Sequence, residues 1–203
     1  MMQIPGRALP TLLVASVFFA SCRELTTSTE PEVVDESELT FVRVDPEAPP
    51  LDAYEVSFWA VQGQDRQIQI SYASSTYGNG KCLLFRVPAD AVMLGVAPGD
   101  SVQVTITVMD AAEFRFEFQP EGLQFDPAHP AELEIRYRWA DPDIDGDGDV
   151  DPRDRLLSET FSLWQKVGTG TSWQRVGGSE RRRDEFEIVA PVVGFTQYAL
   201  ATD

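Results

Sequence analysis

Six aspartates fall within twelve consecutive residues: Asp143-Ile144-Asp145-Gly146-Asp147-Gly148-Asp149-Val150-Asp151-Pro152-Arg153-Asp154. Carboxylates at every second position are what a chain wrapping a divalent cation presents, because alternate side chains then turn inward and supply hard oxygen ligands. In a twelve-position calcium loop, positions 1, 3 and 5 ligate through side chains and position 7 through its carbonyl. Position 9 ligates directly or through water, position 12 closes the shell, and position 6 is a glycine where the chain turns sharply. Asp143, Asp145 and Asp147 stand at the first three ligand positions, Gly148 at the sixth, Asp149 at the seventh, Asp151 at the ninth and Asp154 at the twelfth. Val150, at the eighth, is expected to tuck beneath the loop. A register starting at Asp141 puts Pro152 at the closing position, where no side chain can ligate, and is rejected. Charge runs are usually solvated, but a solvated run requires neither Gly148 nor Val150 where they stand. Calcium is the expected ion, in a structural role. An aspartate rather than a glutamate at the twelfth position makes bidentate closure less assured and lowers the expected affinity.

The flanks say what must position this loop. Asp151-Pro152 reads as an N-cap and first helical residue with Asp154 in the first turn, so a short helix over Arg153–Leu157 should lead away. The loop resembles that of dockerin modules and related bacterial calcium repeats. Those normally work in pairs, whereas one copy stands here, and it is preceded by the strand-like Ile135–Trp139 rather than by an entering helix. The expectation is a calcium loop and short helix inserted between two strands.

The rest of the chain reads as strands. Phe114, Phe116 and Phe118 alternate with Glu113, Arg115 and Glu117, and Leu133, Ile135, Tyr137 and Trp139 with Glu132, Glu134, Arg136 and Arg138. Further strand-like segments occur at Thr40–Val44, Val56–Val61, Gln67–Tyr72, Ser101–Val108, Thr160–Val167, Ser172–Val176, Glu185–Val189 and Thr196–Ala201, and Cys82–Val87 is largely apolar, as a central strand would be. Turn signals separate them, among them Gly78-Asn79-Gly80, Pro98-Gly99-Asp100 and Pro120-Glu121-Gly122. Many short strands with frequent turns predict an all-β antiparallel sandwich. With 203 residues, 43% of them hydrophobic, one such core can be buried.

Several stretches carry a resemblance. Phe85-Arg86-Val87-Pro88-Ala89-Asp90-Ala91 and Gly99-Asp100-Ser101-Val102 resemble consecutive elements of one family. Phe118-Gln119-Pro120-Glu121-Gly122-Leu123-Gln124-Phe125 resembles its turn, Trp173-Gln174-Arg175-Val176 its tryptophan strand, and Phe195-Thr196-Gln197-Tyr198-Ala199-Leu200 its closing strand. The family is the β-sandwich domain shared by zonula occludens proteins, ankyrins and netrin receptors, with relatives in bacterial lipoproteins. The resemblance covers roughly residues 81–202 and implies a sandwich that mediates protein contacts, with no catalytic residues to carry over. Gly194 stands where that family usually has a histidine.

The N-terminus reads as an address. Arg7 precedes an apolar run, Leu12–Ala20, about half the length a bilayer-spanning helix needs. Phe19-Ala20-Ser21-Cys22 resembles the lipobox of bacterial lipoproteins, which implies removal of residues 1–21 and lipidation of Cys22. Three acyl chains at ~0.8 kcal/mol per buried CH₂ make such an anchor effectively permanent. Arg23 is not the aspartate that retains such proteins at the inner membrane, so the outer membrane is the expected destination. Residues 22–39 then read as the lipidated cysteine and a disordered acidic tether, and residues 40–203 as the sandwich. The seventeen tether residues would span at most roughly 60 Å.

Charge limits the partners. Sixteen basic against 33 acidic residues, net −17, argue against nucleic acid and against attraction to anionic headgroups. Two cysteines and one histidine are too few for a structural zinc site. Cys82 is expected in the core, His129 in a turn, Arg181-Arg182-Arg183 in a hairpin loop over Gly177–Asp184, and Trp59, Trp139, Trp164 and Trp173 in the core. The functional expectation is a non-enzymatic, lipid-anchored envelope protein that engages another envelope protein or polysaccharide. A carbohydrate-binding module, or a carboxylate-based hydrolase, stands as the alternative.

Overall fold

The computed structural model describes residues 33–73 and 80–203. The export segment, Cys22, residues 23–32 and the Gly78-Asn79 part of the expected turn lie outside the described residues. In chain order the elements are β1 (Val33–Asp35), a 3-10 turn (Glu36–Glu38), β2 (Thr40–Phe41), β3 (Glu55–Val61), β4 (Arg66–Ser71) and β5 (Lys81–Val87). Next come β6 (Ser101–Asp110), β7 (Arg115–Gln119), β8 (Ala131–Arg136), α1 (Pro152–Ser158), β9 (Ser162–Lys166) and β10 (Ser172–Arg175). The chain closes with β11 (Glu180–Arg182), a second 3-10 turn (Arg183–Glu185), β12 (Glu187–Val192) and β13 (Gln197–Thr202).

These strands make two antiparallel sheets, as the alternation predicts. One runs β1-β10-β9-β13-β7-β6-β3, with β2 also pairing β13, and the other runs β11-β12-β8-β5-β4. Inward residues of both sheets form one core. Ile70, Leu83, Phe85, Leu133 and Ile135 come from the smaller sheet and Ile106, Phe116, Phe118 and Leu200 from the larger. Phe118 sits at its centre, with ring centroids 5.2 Å from Phe85, 5.4 Å from Phe195 and 5.3 Å from Tyr198. Edge-to-face packing of this kind adds to the burial each ring already gains. Cys82 is buried as expected, and burial pushes its thiol up to about 12.

The structure corrects three readings. The tether does not extend to residue 39: Val33–Asp35 pairs with Ser172–Gln174, and Leu39 and Val34 cover Trp164 and Trp173 on the outer face of the larger sheet. Those two indoles would otherwise face water. The acidic residues that suggested disorder have specific partners. Asp35 caps the 3-10 turn by accepting the Ser37 N–H at 3.0 Å, and Glu36 accepts the Trp173 Nε1–H at 3.1 Å and pairs with Arg115 at 3.3 Å.

Trp59 is not in the core. It is 58% exposed on β3, at the edge of the larger sheet, on the same face as Glu55 and Ser57. Among the described residues it has no aromatic row beside it: Gln103 lies opposite it on β6. Finally, Glu180–Arg182 forms a strand paired with β12, so the arginine cluster is not wholly loop. Arg182 is held there by Glu180 and, at 3.0 Å, by the buried Glu187.

Candidate metal centre

The aspartate loop lies between β8 of the smaller sheet and β9 of the larger, so it is carried by the crossover that joins the two layers. At its far end the sequence prediction of a helix holds. Asp151 is the N-cap of α1, Pro152 is the first helical residue, and Asp151 and Asp154 form a reciprocal capping box. Asp151 Oδ1 accepts the N–H of Arg153 at 2.6 Å and of Asp154 at 3.4 Å, while Asp154 Oδ2 accepts the N–H of Asp151 at 2.8 Å. A seven-residue helix has little stability of its own, and these caps satisfy amides that would otherwise be orphaned.

Within the loop, each early aspartate folds back on the chain. Asp143 accepts the Gly146 N–H at 2.8 Å through Oδ1 and the Gly148 N–H at 3.1 Å through Oδ2. Asp145 Oδ1 accepts from Asp147 N–H at 3.3 Å, and Asp147 Oδ1 from Asp149 N–H at 3.1 Å. Gly146 and Gly148 have φ of +75° and +99°, a conformation that side chains with a Cβ rarely adopt. A Cβ on Gly146 would also stand 3.0 Å from Arg43 Nη1. The result is that Asp143, Asp145 and Asp147 each offer a carboxylate oxygen within 4.8 Å of the others, a cluster that could hold a metal ion.

The other three aspartates lie outside that triad. Asp149 is exposed, and its carboxyl is raised, first by the Asp147 carboxylate beside it, then by partial desolvation, and then by Asp151, Asp154 and Asp143. Asp151 is exposed and engaged in capping. Asp154 is 4% exposed and serves as the internal brace. Its Oδ1 takes the N–H groups of Ile144 at 2.7 Å and Asp145 at 3.3 Å. Hydrogen bonds from backbone N–H groups, the Asp151 amide foremost, hold its carboxyl below the usual carboxylate range.

Two arginines offset part of the crowded negative charge. Arg43 Nη2 lies 3.5 Å from both Asp141 Oδ2 and Asp143 Oδ2 and donates to the Asp143 carbonyl. Arg153 Nη1 lies 3.2 Å from Asp145 Oδ2. Arg43 comes from the segment after β2, a hundred residues away, and nothing in the spacing of the loop signalled it.

One expectation about the loop is overturned. Val150 is 65% exposed and does not tuck beneath the loop; Ile144, the second loop residue, is 6% exposed and packs into the sandwich core. The Ile144 amide is held at the same point by the buried Asp154 carboxylate. The remaining expectations are met at His129, which is an exposed turn residue, and at Trp164 and Trp173, which are fully buried. No protein-family model, curated protein or solved structure matches this chain.

Proposed function

We propose that this chain is a lipid-anchored β-sandwich of the bacterial envelope, held to the membrane through Cys22, with a structural calcium ion in the loop 143–154. Its task is to present the sandwich to another envelope protein or polymer rather than to catalyse a reaction. The observation that carries the calcium reading is the convergence of Asp143, Asp145 and Asp147 on the crossover between the sheets. Three carboxylates at that separation repel one another, and a divalent cation converts the repulsion into attraction. Oxygen-only donors on a glycine-hinged loop suit calcium better than zinc or copper. A site of about 10⁻⁵ M in ~1 mM calcium adds roughly 2.7 kcal/mol by mass action. The lipid anchor rests on the Phe19-Ala20-Ser21-Cys22 pattern, and the contact role on the likeness of the strand motifs to the zonula occludens, ankyrin and netrin-receptor domain.

The test is thermal unfolding in calcium and in chelator. A rise in Tm with calcium, absent when magnesium alone is supplied, supports the reading; identical melts in calcium and chelator sink it. Labelling with radioactive palmitate, lost in Cys22→Ser, tests the anchor separately.

A further inference from the structure

Beside the aspartate loop, but outside its ligand triad, lies a cavity of about 610 Å³, within the roughly 300–1,000 Å³ typical of small-ligand sites. Its apolar walls are Tyr137, Phe161 and Phe186, together with the exposed Val150. Its polar lining includes Arg138, Arg155, Arg181 and Arg183.

The arginines are what set this cavity apart. Twelve arginines lie among the described residues, and seven of them pair with a carboxylate, as a chain with net charge −17 would lead one to expect. Five do not pair with one: Arg66, Arg138, Arg155, Arg181 and Arg183. Four of those five line this one cavity. Asp141, Asp151, Asp154 and Glu159 line the same cavity and keep their charge, but Asp141 pairs with Arg43 and Asp151 and Asp154 turn oxygens to loop amides, so none of the four makes an ion pair with these arginines.

The cations are also arranged against rings. The Arg138 guanidinium lies 5.0 Å from the Phe186 ring centroid, and that of Arg181 lies 5.5 Å from Tyr137 and 5.6 Å from Phe161. Arg181 donates to the Tyr137 hydroxyl at 3.0 Å and to the Ser158 carbonyl, yet its Nη1 is buried with no hydrogen-bond partner. Phe186 holds its place at φ +54° and ψ +50°, as the left-handed C-cap of the second 3-10 turn, a conformation uncommon for an aromatic residue.

We propose that this cavity binds a small organic anion, with a sulfonate or carboxylate group on the arginines and a flat apolar body against Phe161 and Phe186. Planar guanidinium groups recognise such oxyanions through paired hydrogen bonds, and the rings supply the surface for the remainder of the ligand. This site does not require calcium in the neighbouring loop.

The test uses the intact chain and two fluorescent probes with the same rings, 8-anilinonaphthalene-1-sulfonate and the uncharged N-phenyl-1-naphthylamine. The expected result is saturable binding of one equivalent of the sulfonate, at least tenfold tighter than the neutral probe. The exposed pair Arg138→Gln/Arg183→Gln should weaken the sulfonate at least tenfold with an unchanged Tm, whereas Arg66→Gln, off the site, should leave it unaltered. Equal affinity for the two probes, no saturable binding, or equal weakening by Arg66→Gln would overturn the proposal. Should the double variant melt early, Arg155→Gln on α1 repeats the comparison.

Discussion

The Oδ1 atom of Asp154 accepts the backbone N–H of Ile144 at 2.7 Å, joining the last position of the aspartate loop to the second across ten residues of sequence. The same carboxylate closes the α1 capping box, so one buried side chain fixes both the exit of the loop and its entry. The brace that ties the two ends of the loop and the triad that could hold an ion therefore fall on different aspartates.

Asp154→Ala should lower the Tm by several degrees in chelator as well as in calcium, because it leaves the Ile144, Asp145 and Asp151 amides without their acceptor. Asp147→Asn should leave the melt in chelator within about 0.5 kcal/mol of the parent, as exposed substitutions usually do, and should remove most of the calcium-dependent rise. Scanning calorimetry of both variants in both buffers checks this. If the two variants behave alike, the division of labour is wrong.

Arg153→Ala should tighten calcium binding. Its guanidinium lies 3.2 Å from Asp145 Oδ2 and competes with a cation for that oxygen. Exposed pairs contribute about 0–1 kcal/mol, so the gain should be no more than about fivefold in Kd. A titration by isothermal calorimetry reads it directly. Weaker binding in the variant would show that Arg153 supports the loop instead.

Acid should loosen the N-terminal edge of the larger sheet. Asp35 is lowered to about 2, first by the Thr171 hydroxyl and then by Ser37, so it binds a proton less readily folded than unfolded. Its contribution is therefore complete above the unfolded value of 3.8 and disappears as pH falls toward 2. Amide exchange of β1 and of its partner β10 should accelerate across that window, and in Asp35→Asn the acceleration should already be present at neutral pH.

The tryptophans should divide sharply. Trp173 is fully buried under the N-terminal segment, and Trp173→Ala should cost about 3–5 kcal/mol. Trp59→Ser should change stability by no more than about 0.5 kcal/mol. Urea melts of the two variants give the comparison.

Most of the fold was legible because its strands alternate. Phe114, Phe116 and Phe118 announced their inward face and are all buried. The same alternation, counted from Glu55, places Trp59 outward with Ser57 and not in the core. Helix α1 was legible because its signal is local, an aspartate followed by proline. Pairing of β1 with β10 was not, since it joins Val33 to Gln174 and no spacing rule reaches that far. The carboxylate triad was readable by position, since Asp143, Asp145 and Asp147 stand two residues apart. The choice of Ile144 over Val150 as the buried residue is set by packing against distant parts of the sandwich, which a linear pattern does not encode. The arginine-lined cavity was invisible for the same reason, because Arg138, Arg155, Arg181 and Arg183 meet only after the crossover, α1 and the β11–β12 hairpin have come together.

Because the sandwich takes up the chain at Val33, only ten residues separate it from Cys22. Even fully extended, ten residues reach at most about 35 Å, little more than the width of a small domain. With the anchoring at Cys22 proposed above, the molecule would consequently ride low over the lipid surface. Any partner would have to approach along the plane of the bilayer or from above, and lengthening that segment, not altering the sandwich, would be the direct way to change its reach.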